Sequence, residues 1–457
     1  MSGTTSSQLP LRTIAHILEY LFWEAPCKYS NTADLRKAPG ALPIGHFALL
    51  QVLQVNHHWR KPAVWLFYGT AAIVLDPQKQ QSTILEEFEH TTDLQRRKAR
   101  TNIQLLLNSG YAPKTMRLLI YAKSPIPSAP LLADAVEASG FALFEWPGIN
   151  TLYLYDPWVV GDGKGGDNQW GHDQALARLN RRLALSLPAL QNINALSATC
   201  DSFGLFSLDD LVAARQPQLR SLEAWGTPPN PMRLLQTQIS DPLLPPLELT
   251  RLVLRVPDGQ AAMEVPRTVA QSLEVLEVGP IAPDAIWSPF LSSTSTDFAH
   301  LRCLRLHFAP ETTLAPQHGR RHHRHTSSRS STLEDAVAAG AYPLFPVLQH
   351  LELIGYAWNA ARFLENFPRA HLRRLCLRDC PIETVEALSL SSFVCLESAS
   401  IDFICSLDAS EMDESRLEDW IEQTLLTDHP SLLSLSVTIP RCLLTDDLET
   451  LVCDSMN

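Results

Sequence analysis

Leu348-Gln349-His350-Leu351-Glu352-Leu353 and, 24 residues on, Leu372-Arg373-Arg374-Leu375-Cys376-Leu377 set leucine at the first, fourth and sixth places of an otherwise polar string. In an extended chain successive side chains point to opposite faces. The fourth and sixth residues therefore share one face, and the third, fifth and seventh share the other. One short strand cannot bury a leucine face by itself, so such units must stack on one another.

The same spelling recurs at Leu249-Leu252-Leu254 and Leu301-Leu304-Leu306. Close variants are Ile149-Leu152-Leu154, Leu219-Leu222-Ala224, Leu273-Leu276-Val278, Leu396-Ala399-Ile401 and Leu432-Leu435-Val437; looser ones are Met116-Leu119-Tyr121 and Leu190-Ile193-Ala195. From Leu190 onward the first positions are 29, 30, 24, 28, 47, 24, 24 and 36 residues apart. Units of about 20–29 residues are those of stacked strand-and-return repeats. The spacing predicts an α/β solenoid over residues 111–457: a curved parallel sheet with helices and loops outside. Return helices are expected at Asp173 to Leu187, through Leu176, Leu179, Leu183 and Leu187, and around Leu417, Trp420, Ile421 and Leu425. The 47-residue step holds a His-, Arg- and Ser-rich insertion at 309–331, expected to be a mobile loop, and Gly161 to Asp173 reads as a second loop.

Composition fits this reading. With 45% apolar and 19% charged residues the chain can bury a sizeable core, and its 33 prolines against 19 glycines suit short strands and turns rather than long helices. A net charge of −12 disfavours a phosphate backbone as partner, so no nucleic acid is expected. The nine cysteines include no CxxC pair and read as reduced thiols, placing the chain in the cytoplasm and/or nucleus. The longest near-apolar run, Ala63 to Leu75, falls short of the about 20 residues a bilayer requires, and no signal peptide is visible, so no membrane is expected.

The N-terminal part is different. A disordered tail is expected at 1–8, helical segments at 9–75 and a connecting helix at 76–110. Ile14, Ile17, Leu18 and Leu21 lie on one side of a helix following Leu9-Pro10, and Phe47, Leu50, Leu53 and Val55 lead to Trp59-Arg60, Ala63 and Leu66. This set resembles an F-box, which opens on Leu-Pro and an Ile/Leu helix and closes on Val-x-x-x-Trp-Arg. An insertion of about twenty residues separates the two halves here, and Asn56 stands where the family often has Cys. The second half resembles the irregular leucine-rich repeats of fungal F-box proteins, with Cys380 after Leu377 where that repeat places Asn or Cys. The resemblance implies a small all-helical F-box followed by a leucine-rich-repeat solenoid. It also implies a substrate receptor that joins a Skp-type adaptor and cullin ligase core to a protein target. On this reading Leu9, Pro10, Ile14, Ile17, Leu18, Leu21, Trp59 and Leu66 meet the adaptor.

Target contacts are expected on the outward positions. Tyr155, Trp225, Arg251, Arg255, Arg305, Arg374 and Arg378 are the candidates, because Arg and aromatic side chains dominate interface energetics. Glu277, Arg305 and Glu352 alternate in sign on successive strands; the plainer reading is a solvated ladder worth only tenths of a kcal/mol per pair. The Arg320 to His325 cluster lacks zinc-ligand spacing, and Gly161 to Gly166 lacks the phosphate-loop spelling, so both read as loops. No hydrolase, zincin or kinase motif appears, so no catalytic residue, metal or cofactor is expected. The alternative is an interaction scaffold outside ubiquitin ligation, whose N-terminal helices only cap the solenoid.

Overall fold

The computed structural model describes residues 9–22, 52–54, 57–75, 99–122, 139–155, 192–199, 218–225, 248–255, 265, 267–281, 298–308, 345–355, 370–380, 390–403, 419–420 and 431–438. The chain divides into two units, Met1–Gly226 and Thr227–Asn457.

In the first unit, helices α1 (Leu11–Phe22) and α2 (His57–Tyr68) precede strands β1 (Thr70–Leu75) and β2 (Ala99–Thr101) and a short helix α3 (Ile103–Asn108). Strands β3 (Arg117–Ala122), β4 (Thr151–Tyr155), β5 (Ala195–Thr199) and β6 (Ser221–Trp225) follow. β1 pairs parallel with β3, and β3 to β6 continue in parallel in chain order, while β2 lies antiparallel on the other side of β1. The second unit holds β7 (Arg251–Arg255), the single-turn helix α4 (Arg267–Ala270), β8 (Val275–Ile281), β9 (Cys303–Phe308), β10 (His350–Ile354), β11 (Arg374–Cys380), β12 (Ser398–Phe403) and β13 (Ser434–Thr438). Each strand from β7 to β13 pairs parallel with the next. Parallel pairing in strict chain order makes this a solenoid-like α/β fold.

The register matches the leucine spelling. Leu252, Leu276, Leu304, Leu351, Leu375, Ala399 and Leu435 face one another across the second unit, and all but Leu435 are buried. Fully burying one such leucine contributes about 1.5–3 kcal/mol. The strands are joined at the second place of each repeat: the amide of Arg302 donates to Glu274 O, Gln349 to Arg302 O, Arg373 to Gln349 O and Glu397 to Arg373 O, all at 2.8–2.9 Å. In four repeats an aromatic residue three places before the first position closes the preceding turn, where Ala112 and Ala270 do so before Thr115 and Leu273. Trp146, Phe298, Phe345 and Phe393 are buried, and their carbonyls accept from the amides of Ile149, Leu301, Leu348 and Leu396. Phe298 and Phe345 sit 5.5 Å apart between ring centres.

Several sequence expectations need correction. The sheet begins at Thr70, not at 111, so 70–75 belongs to the strands and not to the helical segment. The apolar run Ala63 to Leu75 is split at Gly69, whose amide ends α2 on Trp65 O and whose carbonyl accepts from Met116 and Arg117 of the next repeat. A Cβ at Gly69 would stand 2.8 Å from Trp65 O, so this turn is closed to larger residues. Of the expected connecting helix, 76–98 lies outside the described residues; among those described, Ala99–Thr101 is a strand and Ile103–Asn108 is helical. Residue Asn102 explains the break: its buried amide side chain accepts from Ala72 N and donates to Thr70 O, both at 2.8 Å, taking the place of a strand partner for β1.

Two repeats are also re-registered. Leu118 and Ile120 pair with Leu152 and Leu154, so the interior positions are Leu118 and Ile120 rather than Leu119 and Tyr121. The first position there is Thr115, buried with its hydroxyl donating to Tyr68 O at 3.0 Å. Likewise Leu196 pairs with Leu152, so that repeat starts at Ile193 and not at Leu190. Asp419 and Trp420 are helical, and Trp420 packs edge-on to Phe403 at 6.0 Å between ring centres. The tail 1–8, the loop at Gly161 to Asp173, the helix Asp173 to Leu187 and the insertion 309–331 lie outside the described residues.

Candidate functional site

Two surfaces carry the residues singled out by sequence. The first is the helix pair. Ile14 and Leu18 of α1 are buried against Ala63, Leu66 and Phe67 of α2, with Val52, Leu53, Trp59 and Tyr68 packed around them. The pair thus has a small core of its own, tied by His58 Nε2 to Leu9 O at 2.9 Å and by Arg60 Nε donating to Leu53 O at 2.8 Å. Of the expected adaptor contacts, Ile14, Leu18 and Leu66 form this interior; Ile17 and Trp59 are half-buried; Leu9 and Pro10 are exposed. Leu21 lies in α1, and its side chain is outside the described residues. Sequence reading missed two outer apolar residues: Leu11 and Trp65 are 43% and 59% exposed, alongside the expected Leu9 at 46%. For Trp65 the signal was available, since it falls between the inward-facing Ala63 and Leu66 on a helix.

The second surface is the outward face of β7 to β12. Register places Arg251, Val275, Cys303, His350, Arg374 and Ser398 in one row, and Val253, Glu277, Arg305, Glu352, Cys376 and Ser400 in the next. Glu277, Arg305 and Glu352 are not a solvated ladder. Both carboxylates are buried, with side chains only 7% and 8% exposed, while Arg305 and Arg378 keep 37% and 52% of theirs in solvent. Arg305 Nε lies 2.9 Å from Glu352 Oε2, and Nη1 lies 3.5 Å from Glu277 Oε2. The Nε–H direction misses that oxygen, so this contact is ionic without being a hydrogen bond. Arg378 Nη2 reaches Glu352 Oε1 at 3.0 Å, and its Nε donates to Cys376 Sγ at 3.5 Å. His307 Nε2 lies 3.1 Å from Glu277 Oε1. The result is one chain of contacts from β8 to β11: His307, Glu277, Arg305, Glu352, Arg378.

Sequence reading did not connect His307 or Gly279 to this chain. A Cβ at Gly279 would lie 2.4 Å from His307 Cβ, so only glycine lets β9 carry the imidazole there. The strand register shifts between Val278 and Ile281 at the same place. The visible signal was a glycine inside an apolar strand, which marks a close backbone approach or a bulge.

The electrostatics follow from burial and the guanidinium groups. Burial pushes the Cys303 thiol up, against a smaller opposing pull from Arg305, so it stays protonated and is a weak nucleophile. Burial, then the Arg305 charge, lower His350 and keep it neutral at pH 7. The Cys376 contact raises Arg378 further, so its charge is permanent. Asp379, next along β11, has φ 55° and is raised by burial and then by the Asp402 charge. A raised carboxylate opposes folding above its unfolded-state pKa, and that cost vanishes once acid protonates both states. Asp379→Asn removes the charge and retains a side chain tolerant of positive φ. It is expected to raise the thermal midpoint at pH 7 and to leave it unchanged near pH 3, as read by circular dichroism melts.

Of the remaining expected target contacts, Arg251 is half-buried, Arg374 is exposed, and Tyr155, Trp225 and Arg255 end β4, β6 and β7 with side chains outside the described residues. Among the described residues no group of His, Cys, Asp or Glu is arranged to hold a metal ion, and no helix is long and apolar enough to cross a membrane. A comparison with protein-family models finds no match, and neither does a comparison with curated proteins.

Proposed function

We propose that this chain is a non-catalytic recognition adaptor of a Skp–cullin–F-box ubiquitin ligase. In this reading the helix pair docks the Skp-type adaptor, and the outward strand face holds a protein target. The observation that carries the proposal is the order and build of the first unit. A helix pair opening on Leu9-Pro10 and containing Trp59-Arg60 owns a separate core, leaves Leu9, Leu11 and Trp65 uncovered, and runs directly into a parallel repeat sheet. Helices that leave apolar side chains on their outer side provide the anchor for a partner's hydrophobic groove. A receptor of this kind supplies no chemical group; it raises the effective concentration of target at the charged enzyme.

The interior positions are unsuitable for testing this, because Leu18→Asp would bury a charge and unfold the pair. Leu9→Asp with Trp65→Ala acts on exposed positions. Co-purification of the full chain with a Skp-type adaptor is expected to fall at least about tenfold in this double variant, in line with loss of an interface anchor. An unaltered melting curve is the accompanying expectation. Absence of adaptor binding by the wild-type chain would end the ligase reading and favour the scaffold alternative.

A further inference from the structure

We propose that the outward face of β7 to β11 binds an extended protein segment carrying carboxylate side chains at every third or fourth residue. This rests on the recognition role above and names the class of target.

Three observations support it. The first is which charges reach solvent. Glu277 and Glu352 are buried beneath the face, while the guanidinium groups of Arg305 and Arg378 emerge from it and Arg374 is exposed beside them. A partner therefore meets cationic N–H donors, although the network itself is charge-balanced. This is unusual in a chain whose net charge is −12. β12 bounds the face on one side with Ser398 beside Arg374, Ser400 beside Cys376, and Asp402 near enough to Arg378 to act on its charge.

The second observation is rigidity. Arg305 is held between two carboxylates, and Arg378 by Glu352 and Cys376, so their side-chain entropy is already spent before a ligand arrives. The carboxylates position these groups without covering their outer edges.

The third is spacing, which selects the occupant. Arg251, Arg305 and Arg378 occupy the third, fifth and seventh places on β7, β9 and β11, a diagonal that advances two residues for every two strands. With strands about 4.8 Å apart and a rise of about 3.3 Å per residue, neighbours on this diagonal are about 12 Å apart. An extended peptide covers that distance in three to four residues. A single phosphoryl group instead requires several donors converging on one point, whereas the inner contacts of Arg305 and Arg378 converge on the buried carboxylates. Charge complementarity and spacing thus both favour distributed carboxylates.

The test is fluorescence anisotropy with the full chain and labelled twelve-residue peptides, with no adaptor present. One peptide carries Glu at every third position among Ser and Gly; a second carries the same residues with the Glu contiguous; a third carries one phosphoserine; a fourth has Lys in place of Glu. Binding is expected for the spaced peptide, weaker binding for the contiguous and phosphoserine peptides, and none for the Lys peptide. Raising the salt is expected to weaken binding. Arg305→Gln endangers folding, so the variants are Arg374→Gln and Arg251→Gln, which leave the Glu277–Arg305–Glu352 contacts in place. Together they are expected to weaken the spaced peptide at least about tenfold, as loss of paired interface charges does. Equal binding of the Lys peptide, tighter binding of the phosphoserine peptide, no binding of the spaced peptide, or unchanged affinity in the double variant would overturn the proposal. Because the adaptor is absent, a failure here leaves the docking role of the helix pair standing, and loss of adaptor binding leaves this result standing.

Discussion

Gly279→Val is expected to destabilise the second unit by about 3 kcal/mol or more, at the severe end of overpacking changes. The first added carbon would stand 2.4 Å from His307 Cβ and 2.7 Å from His307 O. One of these atoms is backbone, so no rotamer change relieves the contact. β8 and β9 must separate, which strains the neighbouring pairs Val278 with Leu306 and Ile281 with Phe308. It also draws His307 from Glu277, leaving a buried carboxylate with one partner fewer. Urea unfolding followed by far-ultraviolet circular dichroism measures the loss. Gly279→Ala is expected to show the same effect at smaller size; an unchanged midpoint in both variants would mean that β8 and β9 do not approach as described.

Arg305→Met tests the charge chain itself. Breaking a buried ion pair from one side costs about 3–5 kcal/mol, because the remaining charge is left in a poor environment. Here Arg305 is 37% exposed, and Arg378 and His307 each retain a carboxylate, so about 2–3 kcal/mol is expected. The informative comparison is Arg305→Met combined with Glu277→Gln and Glu352→Gln. With both carboxylates neutral, the triple variant is expected to recover most of the loss, since replacing a whole buried ion set by neutral groups is often close to neutral. A triple variant less stable than Arg305→Met alone would show that the network contributes through hydrogen bonds rather than charge.

The fold was legible where the repeat's first, fourth and sixth places hold leucine. There the pairing of Leu252 with Leu276, and of Leu304 with Leu351, follows the spelling residue for residue. It was not legible where polar or small residues take those places. Thr115 satisfies its hydroxyl on Tyr68 O, and Ala71 fills the fourth place of β1 against Leu118, so neither advertises a leucine pattern. The apolar run through Gly69 hid a change of element, because helix and strand both bury apolar residues and only the glycine marks the turn.

The candidate surfaces divide in the same way. That Glu277, Arg305 and Glu352 would face one another was readable from spacing alone. Their burial was not, because it depends on the long side chains of Arg305 and Arg378 lying over them and on Gly279 admitting His307. For α1, helical spacing identified Ile14 and Leu18 as one side of a helix. Whether that side turns towards a partner or towards α2 is a tertiary choice, and α2 takes it.

The joints between strands of the second unit are made by peptide groups at the second place of each repeat. Backbone amides are common to every residue except proline. Neither the joint nor the leucine interior therefore constrains what stands in the outward columns beyond the charge chain and Gly279. Such a scaffold separates the grammar of its folding from the vocabulary of its surface, so lineages or libraries can exchange Arg251, Arg374, Ser398 or Ser400 and acquire a new partner while keeping the same body.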